Sequence, residues 1–122
     1  MKLRDTVSII TGGSKGIGLG CARVFARHGG TVVIAARGQQ DGRQAETELV
    51  AAGHRALFVP CDVTVELQVR QLVETAVEQF GRLDCLVNNA GWHPPAMDLE
   101  RTSVDDFERL LRLNLTSAFI GC

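Results

Sequence analysis

The residues whose types and spacing best suit chemistry are three of the four glycines in residues 11–18, which read TGGSKGIG. This segment follows a short apolar run at residues 7–10 that predicts a buried strand, and it precedes apolar residues at helical spacing. Because Gly12, Gly16 and Gly18 lack a β-carbon, the backbone there can turn tightly, approach a phosphate and let the helix pack on the strand. A helix N-terminus adds N–H groups and partial positive charge. The chemistry predicted is binding of a dinucleotide pyrophosphate, although ordinary turns and helix caps also use glycine.

A second polar turn follows a later apolar run. Residues 83–87 predict a short strand, and the turn that leaves it has the sequence Asn88-Asn89-Ala90-Gly91. In an open parallel sheet, the turns after neighbouring strands can face one crevice beyond the carboxyl ends of those strands. The asparagine turn is therefore expected beside the glycine-rich turn, although paired asparagines are also ordinary turn residues.

Strand and helix patterns alternate between these two turns. Apolar runs predict strands at residues 31–36 and 56–60, and residues 39–52 predict a helix that stops before Gly53. Thr64 is the expected cap of a further helix that ends at Gly81. Apolar residues at helical spacing mark that helix: Val69, Leu72, Val73, Ala76, Val77 and Phe80. A similar set marks the helix after the glycine-rich turn: Ile17, Cys21, Val24 and Phe25.

Four strands separated by three helices predict an α/β fold built on a doubly wound parallel sheet. Right-handed crossovers place helices on both faces of the sheet, and the expected strand order is 3-2-1-4. The first and fourth strands are then neighbours at the topological switch point, where ligands bind. A further helix is expected to start at Ser103, with Asp106 three residues later. The fourth strand is expected to form an edge of the sheet.

Composition is consistent with one domain covering residues 1–122. Hydrophobic residues make up 45%, charged residues make up 22%, and the formal net charge is -1. These values argue against disorder and against nucleic acid as a partner. No apolar run approaches membrane-spanning length, so we expect a soluble protein of the cytoplasm.

The cysteines and histidines are too widely spaced in the sequence to predict a metal site. None of the cysteines forms a Cys-x-x-Cys pair, and the three histidines lie far apart. We therefore expect no metal and predict reduced, largely buried thiols at Cys21, Cys61, Cys85 and Cys122.

Four motifs, in this order along the chain, resemble the classical short-chain dehydrogenase/reductase family. They are residues 11–18, Cys61-Asp62-Val63, Asn88-Asn89-Ala90-Gly91 and Asn114. The resemblance covers essentially the whole chain and implies a Rossmann-type cofactor-binding domain that is incomplete at its C-terminal end. Within the family, the sequence Trp92-His93-Pro94-Pro95 after the asparagine turn is similar to the 17-beta-hydroxysteroid dehydrogenase type-14 group.

The resemblance implies that a nicotinamide dinucleotide binds at the carboxyl edge of the sheet. Its phosphates and the neighbouring ribose would be surrounded by Gly12, Ser14, Lys15, Gly16, Ile17 and Gly18. The adenine would lie beside Asp62 and Val63, and the inner ribose beside Asn89, Ala90 and Gly91. The Asp62 carboxylate would accept a hydrogen bond from the adenine amine; the alternative role for Asp62 is to cap the following helix.

Arg37 carries the prediction of cofactor preference. The second predicted strand ends in Ala36-Arg37, where members of the family that prefer NAD have an acidic residue that binds both ribose hydroxyls. Arg37, with Lys15 across the turn, would instead neutralise a ribose 2′-phosphate. We therefore predict that NADP(H) is preferred and that NAD(H) remains possible. The alternative is that Arg37 is an ordinary solvated charge.

Asn114 is the only member of the family's catalytic tetrad that the resemblance assigns to this chain. In the family, that asparagine bends its helix and helps hold a water that connects the catalytic lysine to solvent. The alternative is an asparagine of the core whose hydrogen bonds are satisfied. The other members are a serine and the tyrosine and lysine of a Tyr-x-x-x-Lys pattern, and this sequence contains no tyrosine.

The function predicted is that of the cofactor-binding half of an NADP(H)-dependent oxidoreductase. Its substrate would be a small-molecule secondary alcohol or ketone, with steroids and sugars among the candidates, and the full-length protein would be a homo-oligomer. The predicted alternative is a catalytically inactive nucleotide-binding or interaction module, or a truncated product. Trp92, His93, Pro94 and Pro95 would border the substrate entrance or form a rigid surface loop.

Overall fold

A computed structural model describes residues 2–90 and 103–111 of the chain. Strands and helices alternate from the start, as the periodicity of apolar residues predicts. The strands are β1 (Val7–Thr11), β2 (Thr31–Ala36), β3 (Ala56–Pro60) and β4 (Cys85–Val87). The helices are α1 (Gly16–Arg27), α2 (Gln39–Ala51), α3 (Glu66–Phe80) and α4 (Val104–Leu111).

The four strands form a parallel sheet in the order β3-β2-β1-β4, which confirms the predicted topology. β1 is an inner strand because it pairs with β2 on one side and with β4 on the other. Both β1 and β2 are buried along almost their whole length, as expected for a sheet covered on both faces. β4 lies at the edge of the described sheet, as predicted.

The core has two parts, one on each face of the sheet. On one face, Ile9 of β1 packs with the inner side of α3, including the fully buried Leu72. On the other face, Ile10 packs with small residues of α1, such as Ala22, and with Leu49 of α2. This alternation along β1 follows from the period of two in a strand. The sheet is therefore rigidly supported where its carboxyl edge presents the two polar turns.

The buried face of α1 differs from the one that its large apolar residues suggest. Ile17 is 80% exposed and Val24 is 41% exposed, whereas Gly18 and Ala22 are buried. The reason is the close approach of α1 to the turn after β1. A β-carbon on Gly18 would overlap the carbonyl oxygen of Gly12. Only the small face of α1 can meet the sheet at this separation.

The start of α3 also differs from the prediction. Thr64 does not cap the helix, because Val65 occupies the N-cap position and no side chain there donates or accepts a capping hydrogen bond. The Thr64 hydroxyl instead donates to Oδ1 of Asp62 at 2.6 Å. Val77, expected on the inner face, is 43% exposed. The predicted end is correct, since Gly81 has the left-handed φ of 79° that closes many helices.

The cysteines are less uniformly buried than expected. Cys61 is buried, Cys21 is half-buried and Cys85 is exposed, and all three are free thiols. Cys85 is exposed because it begins β4, whose outer edge is unpaired in the described part of the chain. Cys122 lies outside the described residues.

The residues just before β4 attach that strand to the start of β1. Oδ2 of Asp84 accepts a hydrogen bond from the backbone N–H of Val7 at 2.8 Å. The Arg82 guanidinium donates to both oxygens of the same carboxylate, at 2.8 and 2.6 Å. Arg82 and the Val7 N–H hold the pKa of the Asp84 carboxyl below its usual range, because both interactions favour the charged form.

At the opposite edge of the sheet, α2 packs closely on β3. Gly42 of α2 lies against the ring of Phe58, and a β-carbon on Gly42 would overlap that ring. The carboxylate of Glu46, one turn further along α2, accepts a hydrogen bond from the backbone N–H of Phe58. The contact therefore seats α2 on β3 and gives a backbone donor of an edge strand a partner.

Candidate functional site

The glycine-rich turn connects β1 to α1, and no side-chain capping bond is made at the N-cap of α1. Gly12 and Gly16 have positive φ angles of 64° and 59°, which L side chains rarely adopt. The N–H of Gly12 donates to the carbonyl of Ala35 at 2.8 Å, which ties the turn to β2. A β-carbon on Gly16 would meet nothing within 4 Å. Lys15, the N-cap residue, makes no side-chain capping bond, so its side chain satisfies none of the first-turn N–H groups of α1.

The hydroxyl of Thr11 joins the glycine-rich turn to the turn after β4. It accepts hydrogen bonds from the backbone N–H groups of Asn89 and Ala90, each at 3.0 Å, and donates to the carbonyl of Val87 at 3.2 Å. The Asn89 side-chain amide donates to the Gly12 carbonyl at 3.2 Å. Two turns that lie far apart in the sequence are thereby held as one unit.

The same contact explains why Gly12 has no side chain. A β-carbon there would lie 3.0 Å from Nδ2 of Asn89 and 3.1 Å from Cα of Ala90. Both separations are tighter than ordinary van der Waals contact, and the second involves backbone that cannot easily move. The asparagine turn therefore sits directly against the glycine-rich turn, as the sheet order predicts.

A cavity of about 770 Å³ opens at this carboxyl edge of the sheet. That volume is within the range typical of small-molecule and cofactor sites. Nine of the residues proposed from the sequence line it: Gly12, Ser14, Lys15, Ile17, Arg37, Asp62, Val63, Asn89 and Ala90. Gly16 and Gly18 belong to the same turn but are not among the lining residues. Gly91, Asn114 and the segment 92–95 lie outside the described residues.

Two basic side chains of the cavity have no acidic partner within residues 2–90 and 103–111. Lys15 and Arg37 are both exposed, and neither forms an ion pair there. By contrast, Arg23 of α1 forms a doubly hydrogen-bonded ion pair with Glu48 of α2, with both distances at 2.7 Å. The cavity thus offers two positive charges that a bound anion can neutralise.

Asp62 is held at the rim of the cavity by the turn that precedes α3. Its Oδ1 accepts from the Thr64 backbone N–H at 3.0 Å and from the Thr64 hydroxyl at 2.6 Å. Its own backbone N–H donates to Oε1 of Gln68 at 2.7 Å. The carboxylate therefore organises the turn that precedes α3, and its Oδ1 is held in place before any ligand arrives.

Cys61 lines the cavity but is poorly suited to act as a nucleophile. Burial raises the pKa of the Cys61 thiol, and the negative charge of Asp62 raises it further. A raised thiol pKa keeps the sulfur protonated near neutral pH, and the thiol form is unreactive. In the described ranges, no group of three or more histidine, cysteine or acidic side chains is placed to hold a metal ion.

A family model described as short chain dehydrogenase matches residues 6–122, nearly the entire chain. The chain belongs to the short-chain dehydrogenase family. This chain has the same fold as a solved short-chain dehydrogenase/reductase from Serratia marcescens, a variant with two phenylalanine-to-leucine substitutions. The two superpose with a TM-score of 0.91 at 31% identity, over 99% of this chain and 49% of that one.

Curated members of the family cover nearly all of this chain. An L-fucose dehydrogenase from Oryctolagus cuniculus is 47% identical over 116 residues, which are 95% of this chain and 39% of that protein. A momilactone A synthase from Oryza sativa subsp. japonica is 41% identical over 121 residues, 98% of this chain and 43% of that protein. The chain therefore spans less than half the length of these two relatives.

A nicotinamide dinucleotide, the cofactor class of this family, fits the residues present. Phosphate groups suit the open space beside Gly16 and the N-terminus of α1, where Lys15 makes no side-chain cap. They also suit the charges of Lys15 and Arg37, which form no ion pair within the described ranges. In the part of the chain that the structure describes, no helix is both long and apolar enough to cross a membrane.

Sequence reasoning missed several residues that line the cavity: Ala35, Ala36, Gly38, Asp41, Cys61, Thr64 and Arg109. Gly38 and Asp41 could have been found, because they follow the end of β2 and open α2, next to Arg37. Arg109 of α4 carries no such signal, since one arginine on a helix is usually a solvated charge. Thr11 belonged to the glycine-rich motif, but nothing in the sequence showed that its hydroxyl would connect two turns.

Proposed function

We propose that this chain forms the NADP(H)-binding part of a short-chain oxidoreductase whose substrate is a secondary alcohol or a ketone. The observation that carries the proposal is the pair of cations, Lys15 and Arg37, that line the cavity and have no acidic partner among the described residues. In the proposed complex, the cofactor extends from the end of β2, across the glycine-rich turn, towards the asparagine turn.

The pyrophosphate is proposed to lie at the N-terminus of α1. Gly16 leaves room there for close approach, and the first-turn N–H groups together with the helix dipole favour an anion. Gly12 and Gly18 act on the protein side, since their missing β-carbons let the turn pack against Asn89 and let α1 approach the sheet. Ser14 and Ile17 complete the lining of this part of the cavity.

The ribose 2′-phosphate is proposed to bind between Arg37 and the N-terminus of α2. β2 ends at Ala36, so no carboxylate occupies the position that would bind both ribose hydroxyls of NAD(H). Gly38 is the N-cap of α2 and makes no side-chain capping bond, and a β-carbon on Gly38 would meet nothing within 4 Å. A phosphate there would receive charge-assisted hydrogen bonds from Arg37 and would face the positive end of α2.

The chain's contribution to the reaction is to bind and orient the cofactor. A nicotinamide cofactor, when bound, supplies hydride transfer to or from a substrate carbon. Asp62 is proposed to accept from the adenine amine while Thr64 holds its carboxylate in place. Asn89 and Ala90, fixed by Thr11, are proposed to contact the inner ribose. Gly91 and Asn114 are proposed to complete the ribose site and the proton path, respectively, as in the family.

The substrate class is proposed from the chemistry of the family alone. Relatives bear names such as L-fucose dehydrogenase and borneol dehydrogenase, the latter from Lavandula x intermedia and 40% identical over 122 residues. A secondary alcohol and its ketone are the class we propose here, without naming one compound. Because the sequence has no tyrosine to act as the family's proton donor, we expect negligible turnover from these residues alone.

The experiment that tests the proposal is a fluorescence titration of the purified chain with NADPH and NADH. Arg37→Ala is expected to weaken NADPH binding about tenfold or more, because hydrogen bonds to charged groups contribute about 1.5–3 kcal/mol. NADH binding should change little. Arg43→Ala is the matched control, since Arg43 is an exposed arginine of the neighbouring helix α2 and does not line the cavity.

Two results would contradict the proposal. If a folded chain binds neither nucleotide, the cavity is not a self-sufficient dinucleotide site and the proposed binding role is wrong. If both nucleotides bind and Arg37→Ala leaves the ratio of their dissociation constants unchanged, the preference for NADP(H) is wrong. Circular dichroism of each variant establishes that the chain remains folded.

A further inference from the structure

We propose that Asp41 limits how strongly the cavity discriminates NADPH from NADH, by opposing the 2′-phosphate that Arg37 attracts. The inference rests on the proposed function, because it concerns the same cofactor site. It adds a second charged residue that sets specificity, one that carries the opposite sign. Asp41 lies in the first turn of α2, and it lines the cavity together with Arg37 and Gly38.

Asp41 has an accessible carboxylate that no other side chain neutralises in the described part of the chain. It is exposed and takes part in none of the side-chain hydrogen bonds or ion pairs found within residues 2–90 and 103–111. Of the acidic residues that line the cavity there, the other is Asp62, which follows β3 and is proposed above to accept from the adenine amine. Asp41 is therefore the acidic group available to interact with a ligand near the end of β2.

The two cofactors differ in charge at the position where Asp41 would act. A monoester phosphate carries about 1.5 to 2 negative charges at neutral pH, whereas a ribose hydroxyl is neutral. A carboxylate in the same cavity repels the phosphate, and water and salt screen this repulsion only in part. The carboxylate does not repel the neutral ribose hydroxyl and can accept a hydrogen bond from it. Asp41 therefore weakens NADPH binding and preserves NADH binding.

A purely structural role for Asp41 makes a different prediction. A carboxylate in the first turn of a helix is favoured by the helix dipole, so Asp41 also stabilises α2. Loss of that stabilisation would lower the thermal unfolding midpoint and would affect both nucleotides alike. The ratio of the NADPH and NADH dissociation constants separates the two roles, because only direct action on the phosphate changes it.

The test compares Asp41→Asn with the wild-type chain in titrations with NADPH and NADH. A carboxylate acting across partly screened solvent predicts that Asp41→Asn tightens NADPH binding about three- to tenfold and leaves NADH binding unchanged or weaker. The gain should shrink as salt concentration rises. Asp41→Glu keeps the charge and should keep the wild-type ratio. Glu78→Gln removes one negative charge from an exposed residue of α3 outside the cavity and is the matched control.

A second pair of probes isolates the phosphate itself. Adenosine 2′,5′-bisphosphate and adenosine 5′-monophosphate differ only at the 2′ position. Asp41→Asn should therefore tighten binding of the bisphosphate and leave binding of the monophosphate unchanged. Suppose that NADPH binding depends on Arg37 but that Asp41→Asn changes neither the NADPH-to-NADH ratio nor the bisphosphate-to-monophosphate ratio of dissociation constants. The inference is then wrong and the proposed function stands. If a folded wild-type chain binds no nucleotide, the inference is overturned together with the proposed function.

Discussion

Replacing Thr11 by valine tests whether one buried hydroxyl assembles the proposed cofactor site. Valine has nearly the same shape and is also β-branched, so Thr11→Val removes the hydroxyl with little other change. The lost hydroxyl is the group that binds the backbone of Asn89 and Ala90 and the carbonyl of Val87. We expect lower stability and weaker nucleotide binding, because the turn after β4 is no longer held against the glycine-rich turn.

The size of the stability effect follows from which groups keep a partner. The N–H of Asn89 also donates to the carbonyl of Val87 at 3.0 Å, so it remains satisfied in Thr11→Val. The N–H of Ala90 loses its Thr11 acceptor, and the hydroxyl's own bond to Val87 disappears. A net hydrogen bond contributes about 0.5–1.5 kcal/mol, and an unsatisfied buried group costs about 1–3 kcal/mol. Because Ala90 is half-buried, we expect a total loss of about 2 kcal/mol.

Urea unfolding, with a parallel NADPH titration, measures both consequences. About 2 kcal/mol corresponds to about a 30-fold change in the unfolding equilibrium constant. Thr11→Ser is the control, since it keeps the hydroxyl and loses only a methyl group, and it should bind NADPH as the wild type does. The reasoning is refuted if Thr11→Val unfolds within about 0.5 kcal/mol of wild type and binds NADPH equally well.

Two further predictions concern the opposite edges of the sheet. Gly42→Ala should lower the free energy of unfolding by about 1–3 kcal/mol, because the added methyl overlaps the Phe58 ring. Gly20→Ala in α1, where a β-carbon meets nothing within 4 Å, should instead be neutral or stabilising by up to about 1 kcal/mol. Urea unfolding measures both variants, and equal destabilisation of the two would contradict the packing argument. The lowered pKa of Asp84 predicts a stabilisation that is present above its usual pKa of 3.8 and is lost as pH falls through its lower folded value. Asp84→Asn should flatten that acid-side loss in thermal unfolding followed against pH, and an unchanged pH profile would show that the carboxylate contributes nothing.

The strand order and the position of the cavity could be predicted from the sequence because both follow from short-range patterns. β-branched runs separated by helical periodicity specify parallel strands, and glycines at a strand-to-helix turn specify where a phosphate can approach. The matched ends of β2 and β3 show how reliable such runs are when both faces of the sheet are covered.

What could not be predicted depends on distances between residues that are remote in the sequence. The spacing of Ile17 and Val24 marked α1 as a helix but did not show that both would be exposed, because the close contact between Gly18 and Gly12 admits only small residues on the inner face. The role of Thr11 has the same origin, since a threonine at the end of a strand carries no mark of a partner 78 residues away. Local sequence patterns predict the strands and helices, whereas the distances between them are known only once the sheet is assembled.

The joining of β1 to the turn after β4 also affects how the protein folds. Residues near the start of the chain must wait for partners that are synthesised about 77 positions later, as the bond between Asn89 and Gly12 shows. Contacts of such long sequence separation form slowly, because a large loop must close first. A nascent chain that has already built β1, β2 and β3 therefore still lacks the turn after β4, which we propose to contact the inner ribose. Nucleotide binding would report the docking of β4, and added cofactor would favour that docked state by mass action.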